Sequence, residues 1–279
     1  MRGEVAYCGL DLGITTTDVV AEWADDVAVS HTTRAFDATA DAALAELLDR
    51  AGPPPSGREI VVAATGAGSH RLHERVRGFA VERVSEITAI GHGGIGIAGG
   101  GDALVASLGT GTAMVSVRGA AIMHVTPGNG VGGGTLLGLC RALLGTDDLA
   151  EICRLAEAGD RRRLDITIGE AVGGPLGVLP ADGTAANFAK YTAGAAREDV
   201  AAALVNLVSE VVLWTILLGM QVAAQPRAVL TGKLTMLPPV RRRIDEMSAA
   251  LGGVLVAPPR GSVASALGAM WCVRKRGGA

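Results

Sequence analysis

A carboxylate followed by three hydroxyls ends an apolar stretch near the N-terminus. The stretch GLDLGITTTD places Asp11 after a run typical of a buried strand, with Gly13 two residues later. The hydroxyls belong to Thr15, Thr16 and Thr17. A buried carboxylate costs free energy unless it has a partner, so a hydrated cation or a reacting hydroxyl would explain Asp11. Gly13 permits a tight turn, and the threonines can hold phosphate oxygens. The stretch therefore predicts a loop for metal and phosphate, although an ordinary β-turn has a similar composition.

A second loop of glycine and threonine repeats this pattern. The stretch SLGTGT follows another apolar run and contains Gly109, Thr110, Gly111 and Thr112. Two such loops, facing each other across a cleft, would hold a polyphosphate. The β-turn interpretation is therefore weaker for the pair than for either loop alone.

A run of three glycines stands before a predicted helix in GNGVGGGTLLGLC. The run is Gly132, Gly133 and Gly134, followed by Thr135. It lacks the lysine of a Walker loop, and the preceding HVTP is a poor strand end for a dinucleotide fingerprint. Free N–H groups at a helix N-terminus form an anion site, so these glycines are candidates to face a nucleotide. Glycines needed only for close packing are the alternative.

Composition narrows the classes of partner. The 279 residues carry a net charge of −3, with both signs interspersed, which does not favour nucleic acid or an anionic membrane as partner. Four cysteines lie far apart, which is unlike a zinc site and typical of reduced cytosolic thiols. The start does not resemble a secretory signal, and the apolar stretch at 211–224 is short enough for a buried helix. We expect a cytoplasmic protein without a membrane partner.

Strand-like and helix-like stretches alternate along the chain, which predicts an α/β fold with two lobes that share a cleft. A helix is predicted over 38–51, and glycines at 99–101 mark the lobe boundary. The N-terminal lobe, 1–100, holds the first phosphate loop, and the C-terminal lobe, 101–279, holds the second and the glycine-rich loop.

Seven stretches, taken in order, resemble the type II (eukaryotic-like) pantothenate kinases of the acetate and sugar kinase/Hsc70/actin superfamily. They are GLDLGITTT, SEITAI, SLGTGT, GVGGGTLLGLC, GTAANF, VLTGKL and GSVASALGA. The resemblance implies a two-lobed actin-like ATPase (ribonuclease H-like) fold, each lobe a mixed sheet flanked by helices, with ATP in the cleft. It also implies Mg²⁺ dependence, a homodimer, and phosphoryl transfer to the primary hydroxyl of pantothenate or a related small alcohol, which for pantothenate is the first step of coenzyme A biosynthesis. It leaves open a coenzyme A or acyl-CoA feedback ligand.

The same resemblance assigns roles to individual residues. Glu86, in SEITAI, falls at the catalytic base, where a carboxylate would accept the proton of the attacking hydroxyl. Asp11 falls at the aspartate that organises magnesium, and GTGT at the second phosphate loop. The glycine run faces the nucleotide, Asn187 in AANF is a cofactor-binding residue, and Gly232 forms the adenosine-side turn. Without the resemblance, Glu86 would be read as a solvated residue at a strand end.

Two positions depart from the resembling kinases. They carry a lysine after the first loop, where this sequence has Asp18, a residue that repels phosphate. They also carry an arginine before the glycine run, where this sequence has His124 or Val125, depending on a one-residue gap. We take His124 as the substrate-contacting candidate, although imidazole is a weaker, pH-dependent cation without the guanidinium fork. Lys233, on the adenosine side, is not expected to compensate, so either the acceptor differs or catalysis is slow.

Two other functions remain open. ATPase activators of 2-hydroxyacyl-CoA dehydratases and benzoyl-CoA reductases resemble the chain in the first loop and in SEITA, but they hold an iron–sulfur cluster through closely placed cysteines. A nucleotide-binding regulatory protein that has lost turnover would explain Asp18 and the missing arginine, although Asp11 and Glu86 argue against it.

Overall fold

The computed structural model describes residues 5–23, 29–31, 56–76, 78–125, 128–177 and 179–277. Its first sheet has the strand order β3-β2-β1-β4-β6-β5, with β1 antiparallel to β2 and parallel to β4. The strands are β1 (Val5–Leu12), β2 (Thr17–Ala21), β3 (Val29–His31), β4 (Glu59–Thr65), β5 (Arg75–Val76) and β6 (Phe79–Arg83). The helix predicted over 38–51 lies outside the described residues.

The second sheet has the same core as the first, an antiparallel hairpin whose first strand also pairs with a parallel strand. Its order is β13-β12-β7-β8-β9, with β7 antiparallel to β8 and parallel to β12. The strands are β7 (Ala103–Leu108), β8 (Thr112–Arg118), β9 (Ala121–His124), β12 (Ala228–Thr231) and β13 (Leu255–Val256). A separate pair, β10 (Ile166–Thr167) with β11 (Thr184–Ala186), forms a small antiparallel ribbon. Each phosphate loop predicted from the sequence therefore closes the central hairpin of one sheet.

Helices flank both sheets, which confirms the predicted α/β fold class. The described α-helices are α1 (Glu86–Ile97), α2 (Gly133–Leu144), α3 (Leu149–Ala158), α4 (Ile168–Val172), α5 (Arg197–Val222), α6 (Pro238–Ala250) and α7 (Ala264–Arg276). Short 3₁₀ turns include Lys233–Met236 and Gly261–Val263. The largest buried cluster joins α2, α3, α5 and α6 to strands of the second sheet.

Helices α1 and α7 pack closely against each other between the two sheets. Helix α1 packs on the strands of the second sheet, whereas α7 packs on β1 and β4 of the first. A division at residue 100 thus separates the strands of the first sheet from those of the second. Helix α7 belongs to 101–279 in sequence, but it packs against the first sheet. Both helices begin at the cleft, so their packing sets the position of their first residues.

Helix α5 is longer than the apolar stretch at 211–224 predicts. It runs over 26 residues and has the length and mean hydropathy, 2.0, that a membrane span needs, but 61% of its apolar window is buried inside the protein. Leu204, Val208 and Ile216 are among its fully buried residues. The helix is apolar because it forms the core of the second lobe.

Candidate functional site

A cavity of about 490 Å³ lies between the two sheets, where both phosphate loops meet the starts of α1 and α2. The predicted site residues that line it are Asp11, Gly13, Thr15, Thr16, Glu86, Gly109, Thr110, Gly111, Thr112, Gly133, Gly134 and Gly232. The topology brings these residues together because the loops leave corresponding ends of β1 and β7.

The two phosphate loops contact each other across the cleft. In the first loop, the N–H of Gly13 donates to the carbonyl of Thr16 over 3.0 Å, which closes a tight turn. The hydroxyl oxygens of Thr15 and Thr110 lie 3.0 Å apart, one from each loop. Both hydroxyls are exposed to the cavity, so they can turn toward a phosphate that enters between them.

Three carboxylates and one ammonium converge at the end of β1. Asp11 pairs in register with Asp18 on β2, so the two carboxylates lie side by side. Burial, and then the negative charges of Asp18 and Glu86, raise the pKa of Asp11 to about 7, while Lys233 and a hydrogen bond from Ser265 act in the opposite direction. The site therefore favours a cation beside Asp11.

An ion pair joins the two lobes inside the cavity. The Nζ of Lys233 lies 2.9 Å from an Oδ of Asp18, whose side chain is buried. Lys233 thus reaches the strand of the first loop, contrary to the expectation that its place after the adenosine-side turn keeps it away. No local pattern predicts this pair, because its members stand in different lobes of the sequence.

The glycine run does not offer free N–H groups. The N–H groups of Gly133 and Gly134 donate to the carbonyls of Gly109 and Thr110 over 2.8 and 2.9 Å. That of Gly132 donates to the hydroxyl of Thr135. The prediction that this helix start offers free N–H donors is therefore wrong, because the second loop accepts from Gly133 and Gly134 and Thr135 accepts from Gly132. A Cβ at Gly132 would lie 2.7 Å from the carbonyl oxygen of Thr110, so close packing explains the glycine.

Several predicted site residues do not line the cavity. Thr17 is a buried residue of β2, Gly132 caps α2, and the hydroxyl of Thr135 donates to the carbonyl of Gly130. His124 is exposed at the end of β9. Its edge position places the imidazole outside the lining of the cleft.

Asn187 belongs to a polar network in the second lobe rather than to the cavity. Its amide nitrogen lies 3.3 Å from a carboxylate oxygen of Glu210, and its amide oxygen accepts from Asn206. Asn206 also donates to Asp165 and to Thr184 of β11. The AANF stretch therefore fastens the β10–β11 ribbon to α5.

Sequence reasoning missed the apolar part of the cavity and several of its polar residues. Ser265, on the first turn of α7, and Asn129, before the glycine run, both line the cavity. Five leucines form an apolar wall, and they are Leu136, Leu137, Leu149, Leu234 and Leu237. Apolar lining with a few polar groups is typical of pockets that bind small molecules. The leucines come from α2, α3, the turn Lys233–Met236 and the residue before α6, so no single stretch indicates them.

The residues around Asp11 fit a magnesium ion bound chiefly through nucleotide phosphates. Mg²⁺ is usually held by one or two carboxylates, with waters and phosphate oxygens completing its shell. Asp11 supplies such a carboxylate, and the neighbouring negative charges that raise its pKa would be relieved by a cation. Among the described residues, no group of three or more His, Cys, Asp or Glu side chains is placed to hold a metal ion by itself.

Comparisons with known proteins agree with this site. Residues 103–225, which contain the second phosphate loop and the glycine run, match the Fumble family model. The type II pantothenate kinase of Bacillus cereus (strain G9842) is 35% identical over 112 residues, or 39% of this chain and 41% of that kinase. The match thus spans about two fifths of the length of that relative. The resemblance to the type II pantothenate kinases is confirmed over this segment.

Solved structures match nearly the whole chain at low identity. The activator of the 2-hydroxyisocaproyl-CoA dehydratase from Clostridium difficile, with bound ADPNP, has a TM-score of 0.66 at 16% identity and covers 97% of this chain and 95% of that one. Component A of the Acidaminococcus fermentans (R)-2-hydroxyglutaryl-CoA dehydratase has a TM-score of 0.67 at 17% identity, covering 99% and 100%. Ta0583, an archaeal actin homolog, has a TM-score of 0.57 at 15% identity and covers 97% of this chain and 99% of that one, so the chain has an actin-like fold. At this identity the likeness concerns architecture alone.

Proposed function

We propose that the protein is an ATP-dependent kinase that transfers the γ-phosphoryl group to a primary alcohol, either pantothenate or a related small molecule. The observation that carries this proposal is the convergence of Glu86 and Asp11 on one cavity with both phosphate loops. A loop pair that holds a polyphosphate, with a carboxylate near its end, is what phosphoryl transfer to a hydroxyl requires.

In the proposed mechanism, the leucine wall holds the adenine and the two loops hold the phosphates. Glu86 accepts the proton of the acceptor hydroxyl as its oxygen bonds to the γ-phosphorus. The bond from that phosphorus to the bridging oxygen breaks, and ADP leaves with the electron pair. Magnesium, held by Asp11, would neutralise phosphate charge. Glu86 is suited to its role because it is the first residue of α1 and its carboxylate is exposed to the cavity.

The dehydratase activators are the second candidate, since they share the fold over nearly the whole chain. An iron–sulfur cluster shared between subunits needs accessible, closely placed cysteines. Cys8, Cys140 and Cys272 are buried in three different clusters, and only Cys153 is partly exposed. The cysteines therefore favour the kinase.

An assay of ADP release over a panel of alcohols tests the proposed function. The panel holds pantothenate, pantetheine and sugar alcohols, with Mg²⁺ and ATP, and a reaction without acceptor is the control. We expect one of these alcohols to stimulate ADP release. ATP binding without stimulation by any of them would instead support a regulatory protein.

We propose a cytoplasmic homodimer, with an exposed apolar face of α5 as the contact. Trp214, Leu218 and Val222 recur every four residues, and their exposed fractions are 44%, 61% and 77%. Residues at this spacing lie on one side of a helix. Coenzyme A or an acyl-CoA remains the proposed feedback ligand.

Changing Trp214 to Glu should convert the dimer to a monomer, because a charge replaces an aromatic side chain in the proposed contact. Light scattering coupled to size-exclusion chromatography measures the mass. Val172→Glu, at a residue that is 59% exposed outside α5, serves as the control and should leave the dimer intact. A wild-type monomer at micromolar concentration, or a dimeric Trp214→Glu variant, contradicts this assignment.

A further inference from the structure

Lys233 reaches from the second lobe into the part of the cavity that surrounds Asp11. It begins the turn that follows β12, whereas its partner Asp18 lies on β2 of the first sheet. Among the described residues that line the cavity, Lys233 alone carries a positive charge, against three carboxylates. A nucleotide phosphate bound in this cavity would therefore have one side-chain cation among the described residues around it.

The backbone holds Lys233 in a fixed place. Gly232 has a φ of 89°, and a Cβ there would lie 2.4 Å from the carbonyl oxygen of Leu108, at the end of β7. The N–H of Gly232 donates to the carbonyl of Gly261 over 2.8 Å. Only glycine fits this close approach, so the turn presents the lysine from a rigid point.

The ammonium of Lys233 lies against the carboxylate of Asp18, which directly follows the first glycine–threonine loop. Its Nζ is 2.9 Å from an Oδ of Asp18, and its charge acts on Asp11, the register partner of Asp18. An unpaired Asp18 in this place would repel phosphate, and a buried charge without its partner is strongly unfavourable. The pair therefore keeps Asp18 neutralised and keeps a cation beside the loop.

We propose that Lys233 contacts the terminal phosphate of ATP and stabilises the transferring phosphoryl group, while Asp18 holds its ammonium in position. The inference rests on the proposed kinase function. A preorganised cation at the point where negative charge moves is a large contribution to phosphoryl transfer. The missing charge of the first-loop lysine would thus be supplied from the opposite lobe.

Two variants with opposite expected effects test this role. Affinities for the β,γ-imido analogue of ATP and for ADP are measured by calorimetry, and turnover is measured with the best acceptor. Lys233→Met should reduce the affinity for the analogue about tenfold more than the affinity for ADP. It should also lower kcat about 100-fold, which is the usual loss when one hydrogen-bond donor to the transition state is removed. Asp18→Asn removes a repelling charge but leaves an amide oxygen that can still accept from the ammonium and hold it in place, so the preference for the analogue should be unchanged or increased.

A matched control separates this role from the general effect of breaking an ion pair. Lys190 forms an ion pair of the same length, with its Nζ 2.9 Å from Glu170 and its side chain 33% exposed, against 31% for Lys233, although Glu170 is more exposed than Asp18. It lies outside the cavity, so Lys190→Met should leave both affinities unchanged. Thermal unfolding shows whether each variant is folded.

The outcomes separate the proposal from its alternatives. The proposal is wrong if Lys233→Met keeps the wild-type preference for the analogue over ADP. It is also wrong if Asp18→Asn loses that preference as much as Lys233→Met does. In either case the ion pair only joins the lobes. If the wild type phosphorylates no acceptor but Lys233→Met still loses the preference, the phosphate contact stands and the kinase function fails.

Discussion

Replacing Glu86 with Gln should lower acceptor-dependent turnover by about 100- to 10,000-fold, the usual contribution of a general base. Glutamine has nearly the same shape but cannot accept the proton of the attacking hydroxyl. The side chain is exposed at the first position of α1, so the substitution leaves no buried group without a partner. Steady-state kinetics with saturating ATP and acceptor measure this loss in kcat.

The effect should be confined to the chemical step. ATP affinity, measured by calorimetry, should stay within about twofold, because Glu86 is proposed to act on the acceptor rather than on the nucleotide. Glu82→Gln is the matched control, since Glu82 is an exposed carboxylate at the end of β6, outside the cavity lining. A Glu86→Gln variant with the turnover of Glu82→Gln would remove Glu86 from the mechanism.

Replacing Gly93 with Ala should destabilise the protein by about 3 kcal/mol, at the upper end of the cost of overpacking. A Cβ at Gly93 would lie 1.8 Å from the carbonyl oxygen of Ala264, and one at Gly268 would lie 1.9 Å from that of Ala89. Both contacts are to backbone, which cannot move aside as a side chain does. Helices α1 and α7 would therefore have to separate.

Thermal and urea unfolding measure this cost. For a domain of this size, 3 kcal/mol corresponds to a fall in Tm of about 6–12 °C. Gly138→Ala is the control, because Gly138 is exposed on α2 and a Cβ there meets no atom within 4 Å. That variant should be more stable than the wild type by about 0.5–1 kcal/mol, as alanine is the better helix former. Equal Tm values for the two variants would contradict the close packing of α1 on α7.

The architecture and the two glycine–threonine turns could be predicted from the sequence, because each depends on a local pattern, while their binding of phosphate stays a prediction. An apolar strand followed by glycine and threonine marks the turn at Asp11 and the turn at Gly109 equally well. The α/β fold follows from the alternation of strands and helices, and the structural matches confirm it.

Such local patterns do not predict contacts between distant segments. The pairing of Asp18 with Lys233 depends on how the lobes meet, which neither stretch encodes alone. The glycine run was predicted to offer free donors, but whether an N–H is free depends on which carbonyl lies opposite, here those of Gly109 and Thr110. Asn187 was predicted to bind the cofactor, but its hydrogen-bond partners Glu210 and Asn206 lie on α5, which its own stretch does not indicate.

The fate of the γ-phosphoryl group tests the kinase proposal most directly. ATP labelled at the γ-phosphorus is incubated with the protein, Mg²⁺ and the best acceptor of the panel, and the products are separated by chromatography and identified by mass spectrometry. The proposal predicts that the label appears in a phosphate ester of the alcohol, in equal amount to the ADP formed, and that Glu86→Gln slows its appearance by about 100- to 10,000-fold. Label found only in inorganic phosphate would contradict the proposal and identify an ATPase.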